Sequence, residues 1–203
     1  MDLWQYEKEA AAEGYAAVCG CDEAGAGPLA GPVYAAAVIL PLGEDIPGLD
    51  DSKKLTEKRR EALFPVIQER ALDWSAAFVS AEEIDKTDIL SARMRAMQLA
   101  IDGLSRKPDF ALVDGNRDHG RSAAITISHR CIVKGDSLSA SIAAASILAK
   151  VRRDHFMVEM AAKYPEYRFD RHKGYGTKLH YALLREYGPC PIHRRTFLKG
   201  MAP

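Results

Sequence analysis

The chain has 203 residues, of which 47% are hydrophobic and 28% are charged, and its 28 Lys and Arg residues balance 28 Asp and Glu residues. This composition is typical of a folded soluble protein with one core, and no apolar stretch reaches the roughly 20 residues that a bilayer requires. The acidic first residues do not resemble a signal peptide, and the four cysteines lack the CxxC spacing of zinc sites. We therefore expect a cytoplasmic protein without a membrane partner.

Positive charge is concentrated towards the C-terminus. From residue 150 onward, 12 Lys and Arg residues stand against 5 Asp and Glu residues, which gives +7, and residues 1–149 carry the opposite −7. A basic segment beside an acidic body predicts a polyanionic partner. A solvated helical surface would give the same pattern, so charge alone does not decide between the two interpretations.

The hydrophobic pattern predicts an α/β domain. Five short apolar segments have the length and periodicity of buried strands, and they are residues 16–22, 33–40, 72–80, 110–116 and 130–136. Helical spacing marks four further regions, the second of which holds one or two helices; they are residues 1–15, 81–105, 139–164 and 176–188. We therefore expect a sheet with helices on its faces and a helical extension at the C-terminus.

Three of the predicted strands end in acidic residues beside glycine. The segment CGCDEAG supplies Asp22 and Glu23, ALVDGN supplies Asp114, and IVKGD supplies Asp136. Ligands of open α/β sheets bind outside the carboxyl ends of the strands, so these carboxylates converge if the three ends are neighbours. Adjacent residues of a regular strand face opposite ways, hence Asp22 and Glu23 share a site only if the strand breaks there. The glycines at positions 25 and 27 supply such a break.

Converging carboxylates predict a bound divalent cation. Like charges at contact distance raise one another's pKa, and a hard cation removes that repulsion. Mg²⁺ or Mn²⁺ prefers oxygen ligands, and two such ions about 4 Å apart would activate a water and stabilise a leaving oxygen. An acid beside glycine is also a common turn residue, but three such strand ends in one chain favour the metal site. The spacing alone does not identify the reaction.

Motifs across the chain resemble those of the type 2 ribonucleases H (ribonuclease HII). From Cys21 to Phe197 they follow in the family's order, as DEAGAGPLAGPV, DSKKLTEKRRE, VDGN, KGD, SIAAASILAKVRRD, HKGYGT and GPCPIHRRTF. The resemblance implies a ribonuclease H-like mixed five-stranded sheet flanked by helices. It also implies a catalytic domain over residues 1–160 and a C-terminal helical extension over residues 161–203, which packs on the same domain and lines the substrate groove.

The resemblance further implies a reaction. Members of the family use Mg²⁺ or Mn²⁺ to cut RNA in RNA–DNA hybrids and to incise duplex DNA on the 5′ side of embedded ribonucleotides, which leaves 5′-phosphate and 3′-OH ends. The matching catalytic and metal-binding residues are Asp22, Glu23, Asp114 and Asp136. As a hypothesis, Asp22 and Asp114 hold the ion that orients the water. Glu23 and Asp136 then join Asp22 around the ion at the leaving oxygen.

Residues 25–27 match the segment of the family that contacts the ribonucleotide. Gly25 and Gly27 would let backbone groups approach the 2′-OH, and Tyr175 matches the aromatic ring that stacks on the neighbouring deoxyribose. The family carries arginine between the glycines, whereas this chain has Ala26. The change removes a charge-assisted phosphate contact of about 1.5–3 kcal/mol. We expect weaker activity or relaxed selectivity, unless another cation makes that contact. Without the resemblance, these residues would indicate only a turn and a packing residue.

The basic residues are assigned to a phosphate-binding groove. The expected groove residues are Lys53, Lys54, Lys173, Lys178, Arg194 and Arg195. Leu138 stands where the family often has lysine, which removes another such contact. We expect structural roles for His172 and His193, and an ion pair or helix cap for Asp154.

Three alternatives remain open from the sequence. A catalytically weak module that binds RNA–DNA hybrids would keep the groove without needing the acids. Another carboxylate-metal nuclease of the same fold, resembling a junction resolvase or integrase, would keep the acids without needing the glycines. A two-carboxylate glycosidase would need neither the metal nor the basic segment. We expect a monomer, since no apolar stripe in the sequence indicates self-association.

Overall fold

The computed structural model describes residues 2–115 and 125–200. Five strands form one sheet, and their bounds are β1 (Val18–Ala24), β2 (Val33–Ile39), β3 (Asp73–Val79), β4 (Phe110–Asp114) and β5 (Ser128–Ile132). The strand order is β3-β2-β1-β4-β5. The first three strands pair antiparallel, whereas β4 runs parallel to β1 and β5 runs parallel to β4. This confirms the predicted mixed five-stranded sheet.

Within the described ranges the α-helices are α1 (Gln5–Ala12), α2 (Glu57–Arg70), α3 (Ala81–Lys86), α4 (Ile89–Asp102), α5 (Ala140–Lys163), α6 (Phe169–His172) and α7 (Lys178–Tyr187). The helix α5 lies across β1 and β2 on one face of the sheet, with α2 beside it. The helix α4 covers β1, β2 and β3 on the opposite face. The sheet is therefore enclosed by helices on both sides.

The close approach of α5 to the sheet depends on small residues. Gly20 lies in the centre of β1, and a Cβ atom there would overlap the backbone of Ser141 and Ile142 at the start of α5. The facing side of α5 is rich in buried alanines, among them Ala140, Ala143, Ala144, Ala145 and Ala149. A helix with short side chains on a glycine-bearing strand brings two backbones together, which fixes the position of the acids that follow.

The observed elements differ from the sequence prediction at several points. β1 continues to Ala24, two residues beyond the predicted end, and β5 ends at Ile132 because Lys134 adopts a left-handed conformation with φ of 56°. The sequence did not predict α2, whose interior contains Pro65. Region 81–105 forms two helices that are divided at Asp88, the N-cap of the second. Residue 116, the end of the predicted fourth strand, and residues 201–203 lie outside the described residues.

The C-terminal segment packs against the second half of α5. A separate apolar cluster joins Met157 of α5 with Phe169 and Leu184 of the segment and with Leu29 and Ala30 after β1. The predicted division at residue 160 falls inside α5, so the two-part organisation stays a prediction. In the part of the chain that the structure describes, no helix combines the length and apolar character needed to cross a membrane.

Candidate metal centre and substrate loop

Three aspartates from separate parts of the chain meet at one edge of the sheet. Asp22 lies on β1, Asp114 is the last residue of the neighbouring parallel strand β4, and Asp136 lies in the 3₁₀ turn Gly135–Ser137 after β5. Carboxylate oxygens of the three lie within 4.8 Å of one another. The strand order β1-β4-β5 brings them together, because parallel neighbours place their carboxyl ends at the same edge.

The turn after β5 places Asp136. The N–H of Gly135 donates to Asp114 Oδ1 at 2.7 Å, and the N–H of Asp136 approaches the same oxygen at 3.4 Å. A Cβ atom at position 135 would lie 2.6 Å from Ile142 Cδ1 and 3.3 Å from Asp114 Oδ1. Any side chain here would therefore displace the end of the Ile142 side chain and crowd Asp114, so glycine suits this close approach of the turn to β4.

The centre has an excess of negative charge. Burial raises the pKa of Asp22 well above 3.8, and the charges of Glu23 and Asp114 add to the effect. Burial together with the charges of Asp136 and Glu23 raises the pKa of Asp114 to about 6. Lys53 Nζ lies 2.7 Å from Asp136 Oδ2, and although burial opposes its charge, this hydrogen bond raises the pKa of Lys53. One ammonium group does not neutralise the three aspartates.

Glu23 stands beside the three aspartates and faces the other side of the sheet. Since β1 is regular through Ala24, Asp22 lies on the α5 side and Glu23 on the α4 side, and the predicted break comes only at Gly25, with φ of 96°. Glu23 Oε1 pairs with Arg93 Nη2 at 2.7 Å. Its other oxygen, Oε2, is buried and has no hydrogen-bond partner among the described residues.

These residues fit a hard divalent cation. The donor set consists of carboxylate oxygens, which suits Mg²⁺ or Mn²⁺ rather than zinc. Burial and the repulsion between neighbouring acids raise the pKa values of Asp22 and Asp114, and a cation would remove that repulsion. The unbonded Oε2 of Glu23 is an available ligand atom. Asp22, Asp114 and Asp136 would hold the metal, with Glu23 at its border.

The buried side chain of Arg194 binds the backbone of the loop that follows β1. Its side chain is 0% exposed and donates from Nε to the carbonyl of Gly31 at 2.9 Å, from Nη1 to that of Ala26 at 2.8 Å and from Nη2 to that of Gly25 at 2.6 Å. Burial and the charge of Arg153 lower the pKa of Arg194 to about 9, so it stays charged at neutral pH. The expected phosphate-facing position of Arg194 is thus corrected, because its donors are directed at loop carbonyls.

A second buried arginine, which the sequence analysis did not single out, supports the same loop. Arg153 of α5 is 0% exposed and donates to the carbonyls of Ala30 at 3.1 Å, Pro32 at 3.2 Å and Lys173 at 3.0 Å. A Cβ atom at Gly25 would overlap Arg153 Nε. Position 25 thus requires glycine both for its positive φ and for space. The signal in the sequence was a basic residue on an otherwise apolar helical face.

The turn that carries Tyr175 is joined to this loop. The N–H of Leu29 donates to the carbonyl of Gly174 at 2.8 Å. Tyr175 is 41% exposed, and Lys150 Nζ and Arg153 Cζ each lie 5.6 Å from the centre of its ring. The exposed ring is therefore supported by two cations, in an orientation that leaves part of it open to a ligand.

Three buried histidines fix the backbone of that turn. Since a carbonyl only accepts, His180 Nδ1 must donate to Tyr175 O, at 2.9 Å, and its Nε2 then accepts from His193 Nε2, at 3.0 Å. The N–H of Cys190 donates to His193 Nδ1 at 3.0 Å, and the ring of His172 stacks on His180. Burial lowers the pKa of both His180 and His193 to about 4. The histidines are structural, as expected for His172 and His193.

The remaining basic residues occupy different surroundings. Lys54 pairs with Asp50 at 3.0 Å and is 54% exposed at its side chain, whereas Lys173 Nζ donates to the carbonyl of Asp170 at 2.6 Å and is 15% exposed. Lys178 and Arg195 are exposed. As expected, Asp154 forms an ion pair, with Lys150 Nζ at 2.7 Å. A groove role for these lysines and for Arg195 stays a prediction.

Comparisons of the sequence and of the structure with known proteins identify the same family. The family model described as Ribonuclease HII matches residues 19–199. Ribonuclease HII of Caldicellulosiruptor bescii is 49% identical over 98% of this chain and 95% of its own length, and that of Dechloromonas aromatica is 56% identical over 89% and 90%. The crystal structure of ribonuclease H2 from Pyrococcus horikoshii, 28% identical, superimposes with a TM-score of 0.74 over 89% of this chain and 93% of that one. The chain belongs to the ribonuclease HII family.

Proposed function

We propose that the protein is a divalent-metal-dependent endoribonuclease that cuts the RNA of RNA–DNA hybrids. We further propose that it incises duplex DNA on the 5′ side of an embedded ribonucleotide. The observation that carries the proposal is the convergence of Asp22, Asp114 and Asp136 beside a glycine loop that is hydrogen-bonded to the turn of Tyr175. Cleavage chemistry and a sugar-contacting surface are thus adjacent.

The aspartates would act as ligands for the metal and so position the scissile phosphate. Bound Mg²⁺ or Mn²⁺ would supply an activated water and would neutralise charge on the phosphate and the leaving 3′ oxygen. Asp114 is held by the N–H of Gly135, and Asp136 is held by Lys53, so neither carboxylate needs to reorient when the substrate arrives. The oxygen Oε2 of Glu23 supports a ligand role for this residue as well.

Selection of a ribonucleotide is assigned to the glycine loop. Gly27 is exposed, and a Cβ atom built there meets no described atom within 4 Å, so there is open space beside its backbone for a sugar. The carbonyls of Gly25 and Ala26 are already engaged by Arg194, which sets the orientation of the peptide groups that a 2′-OH would meet. Tyr175 would stack on the neighbouring sugar.

The context of this activity is also a proposal. We propose residues 1–160 as the catalytic part and residues 161–203 as the extension that supports the loop and lines the groove. The protein would act as a monomer, with Lys53, Lys54, Lys173 and Tyr175 on the substrate side. The buried thiols of Cys19, Cys21 and Cys190 suit a reducing cytoplasm.

The decisive experiment uses a labelled DNA duplex with one ribonucleotide beside its all-DNA twin, each with Mg²⁺, Mn²⁺ or EDTA. We expect cleavage only of the first duplex, 5′ to the ribonucleotide, and only with metal. Cleavage of the all-DNA twin would indicate a different nuclease of the same fold, and binding without cleavage would indicate a hybrid-binding module. Relative rates with the two ions identify the preferred metal.

A further inference from the structure

The glycine loop, residues 25–27, has no cationic side chain. The two guanidinium groups next to it are already hydrogen-bonded within the protein. Arg194 and Arg153 are completely buried and donate to backbone carbonyls. A phosphate that reaches the loop therefore contacts neither group. If this chain retains a cation at the phosphate, a residue outside the loop must supply it.

Three lysines close to the site are also engaged. Lys53 Nζ lies 2.7 Å from Asp136 Oδ2, Lys150 Nζ lies 2.7 Å from Asp154 Oδ1, and Lys173 Nζ lies 2.6 Å from the carbonyl of Asp170. An ammonium has three N–H donors and each of these contacts uses one, but none of the three contacts is to a residue of β1, the strand that leads into the loop. They are weaker candidates than a cation that is paired with β1 itself.

Arg93 is such a cation. Its Nη2 pairs with Glu23 Oε1 at 2.7 Å, three residues before Ala26, and its side chain is 22% exposed. Its Nε is buried and has no hydrogen-bond partner in the described part of the chain, so this donor is unsatisfied rather than exposed. A guanidinium has five N–H donors in one plane, so the pair with Glu23 leaves donors for a phosphate.

The backbone of Arg93 is held firmly. α4 begins at Asp88, whose side chain accepts from the N–H groups of Leu90 and Ser91 at 2.9 Å. Ala92 and Met94, which flank Arg93 in the sequence, are buried in the core between α4 and the sheet. The guanidinium is thus presented from a packed helix, which costs less conformational entropy than presentation from a loop.

We propose that Arg93 supplies the phosphate-binding guanidinium that the loop Gly25–Ala26–Gly27 lacks. Its ligand is a phosphate of the strand that carries the ribonucleotide, and the pair with Glu23 keeps its head group at the border of the metal centre. The inference rests on the proposed function. It predicts that the chain retains substrate affinity despite Ala26.

The test measures binding of duplex DNA with one ribonucleotide by fluorescence anisotropy, in an Asp114→Asn background that prevents cleavage. Arg93→Gln is expected to weaken binding about tenfold or more and to lower the salt slope by about one. Arg95→Gln is the matched control, because Arg95 lies on the same helix, is 57% exposed and pairs with Glu83 at 3.2 Å. It should bind as the background does.

Adding Ala26→Arg distinguishes a shared role from two separate contacts. The added arginine should change affinity less than about threefold when Arg93 is present, and should restore most of the loss in Arg93→Gln. Unchanged binding in Arg93→Gln, or equal gains from Ala26→Arg with and without Arg93, would overturn the proposal. If Arg93→Gln does not fold by circular dichroism, a gain of about tenfold or more from Ala26→Arg alone overturns it. The proposed function is tested separately, by the cleavage assay on the unsubstituted protein. If that protein shows no metal-dependent cleavage, the proposed function fails, whatever the binding assay shows.

Discussion

The N–H of Gly135 donates to Asp114 Oδ1 at 2.7 Å and thereby joins the end of β4 to the turn that carries Asp136. This backbone hydrogen bond thus helps to set the spacing of the two acids. The packing of the protein holds these like charges close together, and we expect this arrangement to lower stability.

Asp114→Asn should make the metal-free protein more stable while removing activity. The amide keeps an oxygen for the N–H of Gly135, but it removes one charge from a cluster of acids. In EDTA we expect the melting temperature to rise by about 2–4 °C, which corresponds to about 1 kcal/mol, and cleavage to fall by about 100-fold or more. Asp102→Asn, an exposed change on α4, should alter neither quantity. A lower melting temperature for Asp114→Asn would contradict the repulsion argument.

The stability advantage of Asp114→Asn should depend on pH. Burial and neighbouring acids raise the pKa of Asp114 from 3.8 to about 6 in the folded protein, so between these values the folded state binds more protons than the unfolded state. The contribution of Asp114 to the stability of the unsubstituted protein therefore falls as pH rises through this window. The advantage of the variant, measured by urea unfolding in EDTA, should be near zero below pH 4 and complete above pH 6. If the difference in the free energy of unfolding between the variant and the unsubstituted protein did not change with pH, the titration of Asp114 would not be its cause.

Alanine at the two loop glycines should separate folding from function. Gly25→Ala places a Cβ atom at a φ of 96° and on Arg153 Nε, so we expect a loss of about 2 kcal/mol or more in the free energy of unfolding. Gly27→Ala meets no described atom within 4 Å and should change stability by less than about 1 kcal/mol. It should nevertheless slow cleavage at a ribonucleotide, since the methyl group occupies space proposed for the sugar. Full activity of Gly27→Ala would exclude that contact.

The buried histidines should make the C-terminal segment sensitive to acid. Burial lowers the pKa of His180 and His193 from 6.5 to about 4, so their contribution to stability is complete above pH 6.5 and is lost as pH falls towards 4. His180→Gln should lower stability at pH 7 by about 1–3 kcal/mol and should weaken this acid dependence. His155→Gln is the control, because His155 is 49% exposed at its side chain. The same acid dependence in both variants would show that other groups cause it.

The sequence predicted the aspartates better than their surroundings. Asp22 lies near the end of β1, Asp114 ends β4 and Asp136 follows β5, and the mixed sheet brings Asp22 and Asp114 to one edge. The expected strand break does not bring Asp22 and Glu23 to the same face, because β1 stays regular through Ala24 and turns only at Gly25. The position of Glu23 depends on Arg93, which lies 70 residues away and has no local signal.

Buried arginines were the main element that the sequence could not locate. Charged residues are almost never fully buried unless they are paired, so a basic segment is first interpreted as solvent-exposed. Arg153 and Arg194 are buried because loop carbonyls satisfy their donors, and that pairing exists only in the folded chain. The helix α2 was missed for a local reason, because Pro65 inside it usually indicates a helix end.

The glycine loop lies near the start of the chain, but its supports lie near the end. Leu29 bonds to Gly174, Gly31 bonds to Ile192, and Arg194 holds the carbonyls at positions 25, 26 and 31. During synthesis the sheet and its aspartates can form before residue 194 leaves the ribosome, whereas the loop can take its shape only afterwards. We therefore expect a nascent or truncated chain that ends before Arg194 to carry the aspartates of the proposed metal centre without an ordered glycine loop. The proposed selectivity for a ribonucleotide would then arise only after residue 194 has been added.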